Sequence, residues 1–437
     1  MSASAPAILA PEHEPEGGRQ VWLRKVFLSV TGQALLSALN LGIGLIFVRL
    51  ASKPEYALYA QVSAIVLLLS GAVGATIGSP LMSLYPQTAE QARPALVTTA
   101  FRLVLLLSGI ASLLACAAVY FIPSLLTTSN PSIPLVVMLA IAIVVAGLRD
   151  FWRNVLFLKL RVADCLRLDA TYACACLCAI AVMVLVQSPT AIGILAITSI
   201  FGLLGLIPWL PAKNLLAPLG QKNLAQTWAR IGPLARWSLP ALLVTFVSSG
   251  FPLLTTHVVG TDATAEIIAA RLFIAPLGPL FISWSNVFRP KIGLLLAENS
   301  IARVRQLVVL SIFLMAAGIL AYLGLVLVSY ATLEEYVLGP SYRHLQFDIA
   351  WWGVGALIAG LTGIGTAVLM AQGKLQTCFW SACASNFASV PLLLVLGAGY
   401  GKPGVLAAMA LGNAISAVWT FVAVFGSLAP DQKKTKE

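Results

Sequence analysis

The sequence predicts an all-α polytopic membrane protein with twelve transmembrane helices, arranged as two six-helix bundles related by a parallel internal repeat. Three observations carry that prediction: twelve apolar windows of bilayer length, a sorting of basic residues onto alternate loops, and an echo between the two halves of the chain.

Of 437 residues, 59% are hydrophobic and 10% charged, against about a quarter charged in an ordinary soluble domain. A bilayer core of about 30 Å needs about 20 apolar residues per helix. Windows of that kind fall at about 27 to 50, 57 to 84, 98 to 121, 132 to 148, 169 to 187, 191 to 211, 238 to 259, 267 to 288, 304 to 330, 346 to 371, 377 to 398 and 404 to 427. The net charge of +11 would suggest nucleic acid in a soluble protein. Here its distribution matters more than its sum, and no nucleic-acid partner is expected.

Ahead of the first window, residues 1–26 hold Pro6, Pro11, Glu12, Glu14 and Glu16. They read as a cytoplasmic tail and amphipathic segment, not as a cleaved signal peptide, which would need an apolar core. The first span then carries Ser29, Gln33, Ser37, Asn40 and Gly44, spaced to share one helix face. Such polar side chains are costly in hydrocarbon unless they face protein or water. Helix packing and cavity lining both explain the stripe, and the amides of Gln33 and Asn40 lean towards the cavity because they need partners. The first span ends at Arg49 in "RLASKPEYALYA", where Pro54 cannot continue a helix without losing a hydrogen bond and Tyr56 and Tyr59 suit the aromatic belt of an external turn.

After the fourth span, Arg149 and Arg153 share a helix face and would repel unless Asp150 or an anion intervenes. A diphosphate is the kind of anion that two guanidiniums bind well; a helix end obeying the positive-inside rule is the plainer reading. Seven cysteines fall almost entirely inside spans. Cys174, Cys176 and Cys178 are spaced so that a helix cannot gather them around one metal, so they are read as packing residues. Residues 212–237 form a cytoplasmic linker. Beyond it, the seventh span repeats the polar face of the first with Ser238, Thr245, Ser249, Pro252 and Thr256, and His257 ends it near the surface.

The eighth span holds an unusual charge, Arg271, in "IIAARLFIAPLGP". It could snorkel outwards, pair with Glu266 or Asp262, or face a lumen. Asp150, Glu266 and Asp348 are the acids nearest the membrane and the weak candidates for ion coupling. None lies near a midplane, and the buried carboxylate expected of a cation-driven exporter is not found. In the last span, Asn413, Ser416 and Thr420 read as packing. Residues 428–437 form a cytoplasmic tail.

With both termini inside, 22 of the 27 Lys and Arg residues fall on cytoplasmic loops, as the positive-inside rule requires. The halves echo at a spacing near 210 residues: Trp22-Leu23-Arg24 recurs as Trp228-Ala229-Arg230, Ala146-Gly147-Leu148 as Ala359-Gly360-Leu361, and Gly193-Ile194-Leu195-Ala196 as Gly404-Val405-Leu406-Ala407. This divides the chain into bundles at 27–211 and 238–427. Six crossings per copy make the repeat parallel, with a substrate site between the bundles.

The opening "GQALLSALNLGIGLIFVRLASKPEYALYAQVSAIVLLLSG" and the ending "VLMAQGKLQTCFWSACASNFASVPLLLVLGAGYGKPGVLAAMALGNAISAV" resemble the polysaccharide flippases, within the superfamily that also holds multidrug and toxin exporters and lipid II flippases. Ala57 departs from the Gly usual in the family turn. The resemblance implies a bacterial inner-membrane transporter, not an enzyme, that moves polyprenyl-diphosphate-linked oligosaccharides such as O-antigen or exopolysaccharide units outward. It implies a lipid-linked oligosaccharide substrate, a polysaccharide polymerase and other biosynthesis proteins as partners, and no cofactor. Arg49, Arg149, Arg153 and Arg271 are physical candidates for diphosphate contacts, with Gln33 and Asn40 beside them; they are not taken from a family motif. The rival on the same fold is a cation-coupled multidrug antiporter. A membrane glycosyltransferase or polymerase would need a larger external segment than the longest one here, 331–345, and no P-loop or zinc pair stands out.

Overall fold

The computed structural model describes residues 16–122, 125–126, 131–159, 161–209, 221–238, 241–278 and 300–427, with scattered positions between 281 and 298. Its first half comprises α1 (Glu16–Leu50), α2 (Lys53–Val73), a π turn (Gly74–Gly78), α3 (Ser79–Gln87), α4 (Arg93–Phe121), α5 (Ile133–Leu158), α6 (Val162–Val186), α7 (Ala191–Leu206) and α8 (Gln221–Ser238). The second half comprises α9 (Ala241–Val259), α10 (Thr261–Leu272), α11 (Ile301–Val328), α12 (Tyr330–Tyr336), α13 (Gln346–Ala371), α14 (Leu375–Tyr400) and α15 (Lys402–Ser427). There is no strand among the described residues.

Ten helical stretches among the described residues are long and apolar enough to cross a membrane. The seventh window holds α9 and the eighth opens with α10; most of the eighth beyond 278 lies outside the described residues, as do 1–15 and 428–437. Leu113, Leu185, Phe313 and Val395 are each more than two-thirds exposed, an arrangement suited to hydrocarbon and costly in water.

Several expected boundaries move. Residues 16–26 are not a separate segment but the start of α1. Helix α5 runs ten residues past the expected end at 148, and α6 starts seven residues before 169. Most of the expected linker is α8, whose Ile231 and Ala235 pack on the first half. The opening turn forms as predicted: Ser52 caps α2 through the Glu55 amide, with Pro54 in the first turn. Tyr56 and Tyr59, however, do not reach an aromatic belt. Tyr56 is 2% exposed, and both rings stack on Phe47, because the turn is covered by the second half of the chain. Glu55 accepts a hydrogen bond from the Ala191 amide at 2.5 Å, where the dipole of α7 favours an anion.

We call the end where α1 meets α2 distal, and the end where α5 meets α6 proximal. The apolar cores at the two ends differ. Distally, one core joins both halves: Phe47, Tyr56, Ile180, Phe251, Tyr330, Tyr342, Ile349, Leu393 and Val405 belong to it. Proximally there are two. One draws on α3, α4, α5 and α8, the other on α11, α13 and α15, and no residue of one half belongs to the other's core.

The tightest helix contact is between α14 and α15. They meet at Gly401, whose φ of 63° suits glycine alone, and run so close that a Cβ at Gly404 would lie 1.9 Å from the Leu396 carbonyl oxygen. Gly404→Ala should therefore cost about 1–3 kcal/mol by overpacking and lower the Tm of the detergent-solubilised protein by several degrees. Gly363→Ala, with open space around it, should leave the Tm unchanged or slightly raised. Equal Tm values for the two variants would contradict this packing.

Candidate functional site

The split at the proximal end leaves a cavity of about 1680 Å³ between the halves. Its lining reaches from Tyr56 and Trp351 near the distal core to Arg153, Met370 and Cys378 near the proximal end. Helix α1 contributes Gln33, Ser37, Asn40 and Gly44, so its polar stripe does face the cavity. Ser249 and Pro252 of α9 line it as well. The side chains of Ser238 and Thr245 lie outside the described residues, and His257 is exposed near the distal surface.

Among the described residues, the charged ones that line this cavity are Arg149, Asp150, Arg153 and Arg271. Asp150 does not separate the first two arginines. Asp169 of α6 does: its oxygens accept from Arg149 and from Arg153, each at 3.1 Å. Asp169 is 1% exposed, so a buried intramembrane carboxylate exists where the sequence indicated none. The guanidinium of Arg153 also reaches Gln33 Oε1 at 3.4 Å, and that of Arg149 lies 3.6 Å from the Tyr172 ring centre. Helices α5 and α6 form an antiparallel pair, so residues a similar distance on either side of their turn sit at one depth. Arg153 and Asp169 are such residues. That spacing, with Asp169 the last acid before the apolar run to Val186 and just after an arginine-bearing helix, was the signal in the sequence.

Arg271 neither snorkels nor pairs with Glu266 or Asp262. It lines the cavity, and its guanidinium lies 5.3 Å from the Phe251 ring centre and 5.4 Å from that of Trp352. Trp352 is itself fixed by its indole N–H donating to the Ile267 carbonyl at 2.8 Å. Among the described residues no acid pairs with Arg271.

Three other candidates are not in the cavity. Arg49 is exposed at the distal end, where it donates to the Glu335 carbonyl at 3.2 Å. Glu266 pairs with Lys53 at 2.6 Å and also with Lys402, which reaches Asp348 at 3.3 Å. This network ties α2 of the first half to α10, α13 and α15 of the second. Beside it the Lys53 ammonium lies 5.5 Å from the centre of the buried Tyr342 ring. Burial, with the carboxylates of Glu266 and Asp262 nearby, pushes the Tyr342 hydroxyl well above the ordinary phenol range, so it stays neutral. Glu266 and Asp348 thus have the geometry of a distal seal, because oppositely charged lysines hold both carboxylates.

Asp150 lines the cavity without a hydrogen bond among the described residues. In the last span, packing explains Ser416 and Thr420, which bond to the Ser381 hydroxyl at 2.8 and 2.9 Å. Asn413 instead lines the cavity.

No protein-family model matches the sequence, and no curated protein matches it. Solved structures do. An inward-facing multidrug resistance MATE transporter of the MOP superfamily matches at a TM-score of 0.72 and 13% identity, over 91% of this chain and 96% of that one. The chain has the fold of the MOP-superfamily transporters. The lipid II flippase MurJ in an inward closed conformation matches at 0.68 and 14% identity, over 91% of this chain and 87% of that one. A MOP-superfamily transporter from Pyrococcus furiosus, whose binding pocket is described as of reverse polarity, matches at 0.62 and 12% identity, over 95% of this chain and 99% of that one.

Asp169 neutralises two arginines from behind the cavity wall, and removing one partner of a buried ion pair costs about 3–5 kcal/mol. Asp169→Asn should therefore lower the Tm of the purified protein by several degrees. Asp150→Asn, which breaks no hydrogen bond among the described residues, should cost clearly less stability than Asp169→Asn. An Asp169→Asn protein as stable as the wild type would remove the ion triplet from this account.

Proposed function

We propose that the chain is a flippase moving polyprenyl-diphosphate-linked oligosaccharide repeat units from the cytoplasmic to the external leaflet of the bacterial inner membrane, by alternating access of two six-helix bundles at 27–211 and 238–427. The observation that carries this reading is Arg271, a cavity-lining cation with no acidic partner among the described residues, held on an aromatic platform. A cation left unpaired in a low-dielectric wall favours an anionic ligand group strongly. A guanidinium suits the geometry of a diphosphate.

Size supports the same reading. Pockets for drug-sized ligands are about 300–1,000 Å³, and this cavity, at about 1680 Å³, has room for a larger head. Three arginines and one aspartate line it, the wrong sign for cationic drugs. The reverse polarity described for the Pyrococcus furiosus transporter is a precedent on this fold for a pocket that does not follow the drug-exporter pattern. The second reading, a cation-coupled multidrug antiporter, is favoured by the buried Asp169 and by the likeness to a multidrug transporter. Against it, both oxygens of Asp169 are engaged by arginines.

In this reading the termini are cytoplasmic, the structure is the loading state, and the flipped unit is handed to a polysaccharide polymerase outside. The diphosphate sits at Arg271 while the polyprenyl tail stays in lipid. Opening outward requires the distal core to part, together with the Lys53–Glu266 pair and the Arg49 contact to Glu335.

Farnesyl diphosphate, a soluble stand-in for the lipid diphosphate, should bind the purified protein, and Arg271→Ala should raise its Kd roughly 10- to 150-fold, the loss of about 1.5–3 kcal/mol for hydrogen bonds to a charged group. In cells the same variant, folded and at normal abundance, should accumulate cytoplasm-facing lipid-linked sugars. Unimpaired export by Arg271→Ala, or unchanged glycans with drug sensitivity on gene deletion, would favour the antiporter. For the seal, Glu266→Ala should make a Ser37→Cys label site, in a background without other cysteines, react several-fold faster with a membrane-impermeant maleimide added outside. Unchanged labelling would mean that the distal network does not hold the outer end shut.

A further inference from the structure

Among the described residues, charge in the cavity lining is confined to α5 and to Arg271 of α10. All four charged lining residues belong to α5 or to the segment around Arg271, whereas the lining residues from Gly355 to Ser416, contributed by α13, α14 and α15, include no charged group. That wall is nevertheless polar. It presents the carboxamides of Asn386 and Asn413 and the hydroxyls of Thr366 and Ser385. Some of its neighbouring hydroxyls are occupied by helix packing: Ser381 serves Ser416 and Thr420, and Thr362 donates to the Ile358 carbonyl. Asn413, Thr366 and Ser385 are not, for their side chains make no hydrogen bond among the described residues. Polar groups at membrane depth are costly without partners, so a face that keeps three of them turned into a cavity is arranged for a ligand or for water. Gly355 of α13 lies against the Asn413 amide, and one turn distal to it on the same helix Trp351 also lines the cavity.

We infer that this uncharged wall is a saccharide subsite, with Asn413, Thr366 and Ser385 bonding the hydroxyls of an uncharged sugar and Trp351 offering a ring for its C–H face. The assignment rests on the flippase reading and adds to it which part of the substrate lies where. A carboxamide supplies both donors and an acceptor, the pairing that neighbouring hydroxyls require. An aromatic side chain adds apolar contact at small entropic cost. A carboxylated sugar would find no cation on this wall, so the subsite selects neutral sugars. A site built to bond hydroxyls also discriminates strongly against analogues that lack them. The diphosphate then lies at Arg271, which stands over Trp352 beside the distal end of this wall, and the two subsites together orient the head.

The experiment uses the full chain in nanodiscs and three probes: farnesyl diphosphate, the same diphosphate bearing N-acetylglucosamine, and the same bearing glucuronic acid. Wild type should bind the N-acetylglucosamine probe at least tenfold more tightly than the other two. Asn413→Leu should abolish that gain and leave the Kd of farnesyl diphosphate unchanged. Thr366→Val, nearly isosteric, gives a second variant with a smaller loss should Asn413→Leu fold poorly. Equal affinity of wild type for all three probes, or equal weakening of all three by Asn413→Leu, would overturn the subsite and leave the flippase reading standing. Failure of farnesyl diphosphate to bind, or binding indifferent to Arg271→Ala, would overturn the flippase reading and this inference with it.

Discussion

The apolar core that both halves share at the distal end is the constraint on which the rest of the molecule depends. Burial of Phe47, Tyr56, Tyr330 and Tyr342 there holds the halves together by their distal ends. Each of these aromatics buries enough surface to contribute a few kcal/mol. Among the described residues no comparable core spans the proximal end, where each half packs on itself. The cavity lies between two halves that share a core at the distal end. In the proposed alternating access, each half keeps its own core while only the shared one is exchanged.

Charge follows that geometry. Ionised groups at membrane depth are tolerated where they pair or face a polar cavity, and the molecule does both. The Arg149–Asp169–Arg153 triplet neutralises one wall and ties α5 to α6, with Gln33 linking α1 to it. The lysines and carboxylates of the distal network cross between the halves and sit beside the shared core. Arg271 stands apart, supported by rings instead of by an acid. Ring faces stabilise a cation while leaving its hydrogen-bond donors open, whereas a carboxylate would occupy them. In the proposed reading, Arg271 is therefore the arginine that meets the diphosphate.

Much of the architecture was legible in the sequence because hydrocarbon imposes a length and a polarity on every crossing. The polar stripe of α1 was legible for the same reason, and Gln33 and Asn40 do line the cavity. What escaped was pairing between helices. A hydropathy window ends where charges begin, so α5 was cut at 148 and α6 delayed to 169, although α5 continues along the cavity wall and α6 begins at Val162. That error placed Asp169 at a boundary and hid its partners. Glu266 and Asp348 were visible as acids near the membrane, but their lysines are up to 213 residues away, beyond any local pattern. Tyr56 looked interfacial because part of its burial comes from Tyr342 of the other half, and Tyr59 because its ring turns inward onto Phe47. Asn413 looked like packing because its neighbours Ser416 and Thr420 are.

The account is tested most directly by transport itself. The purified protein would be reconstituted into liposomes holding a fluorescent polyprenyl-diphosphate oligosaccharide in the inner leaflet, and its appearance outside followed by lectin access. The account predicts protein-dependent transfer of the lipid-linked sugar and no movement of small cationic dyes. Efflux of the dyes down an ion gradient, with the labelled lipid left in the inner leaflet, would contradict it.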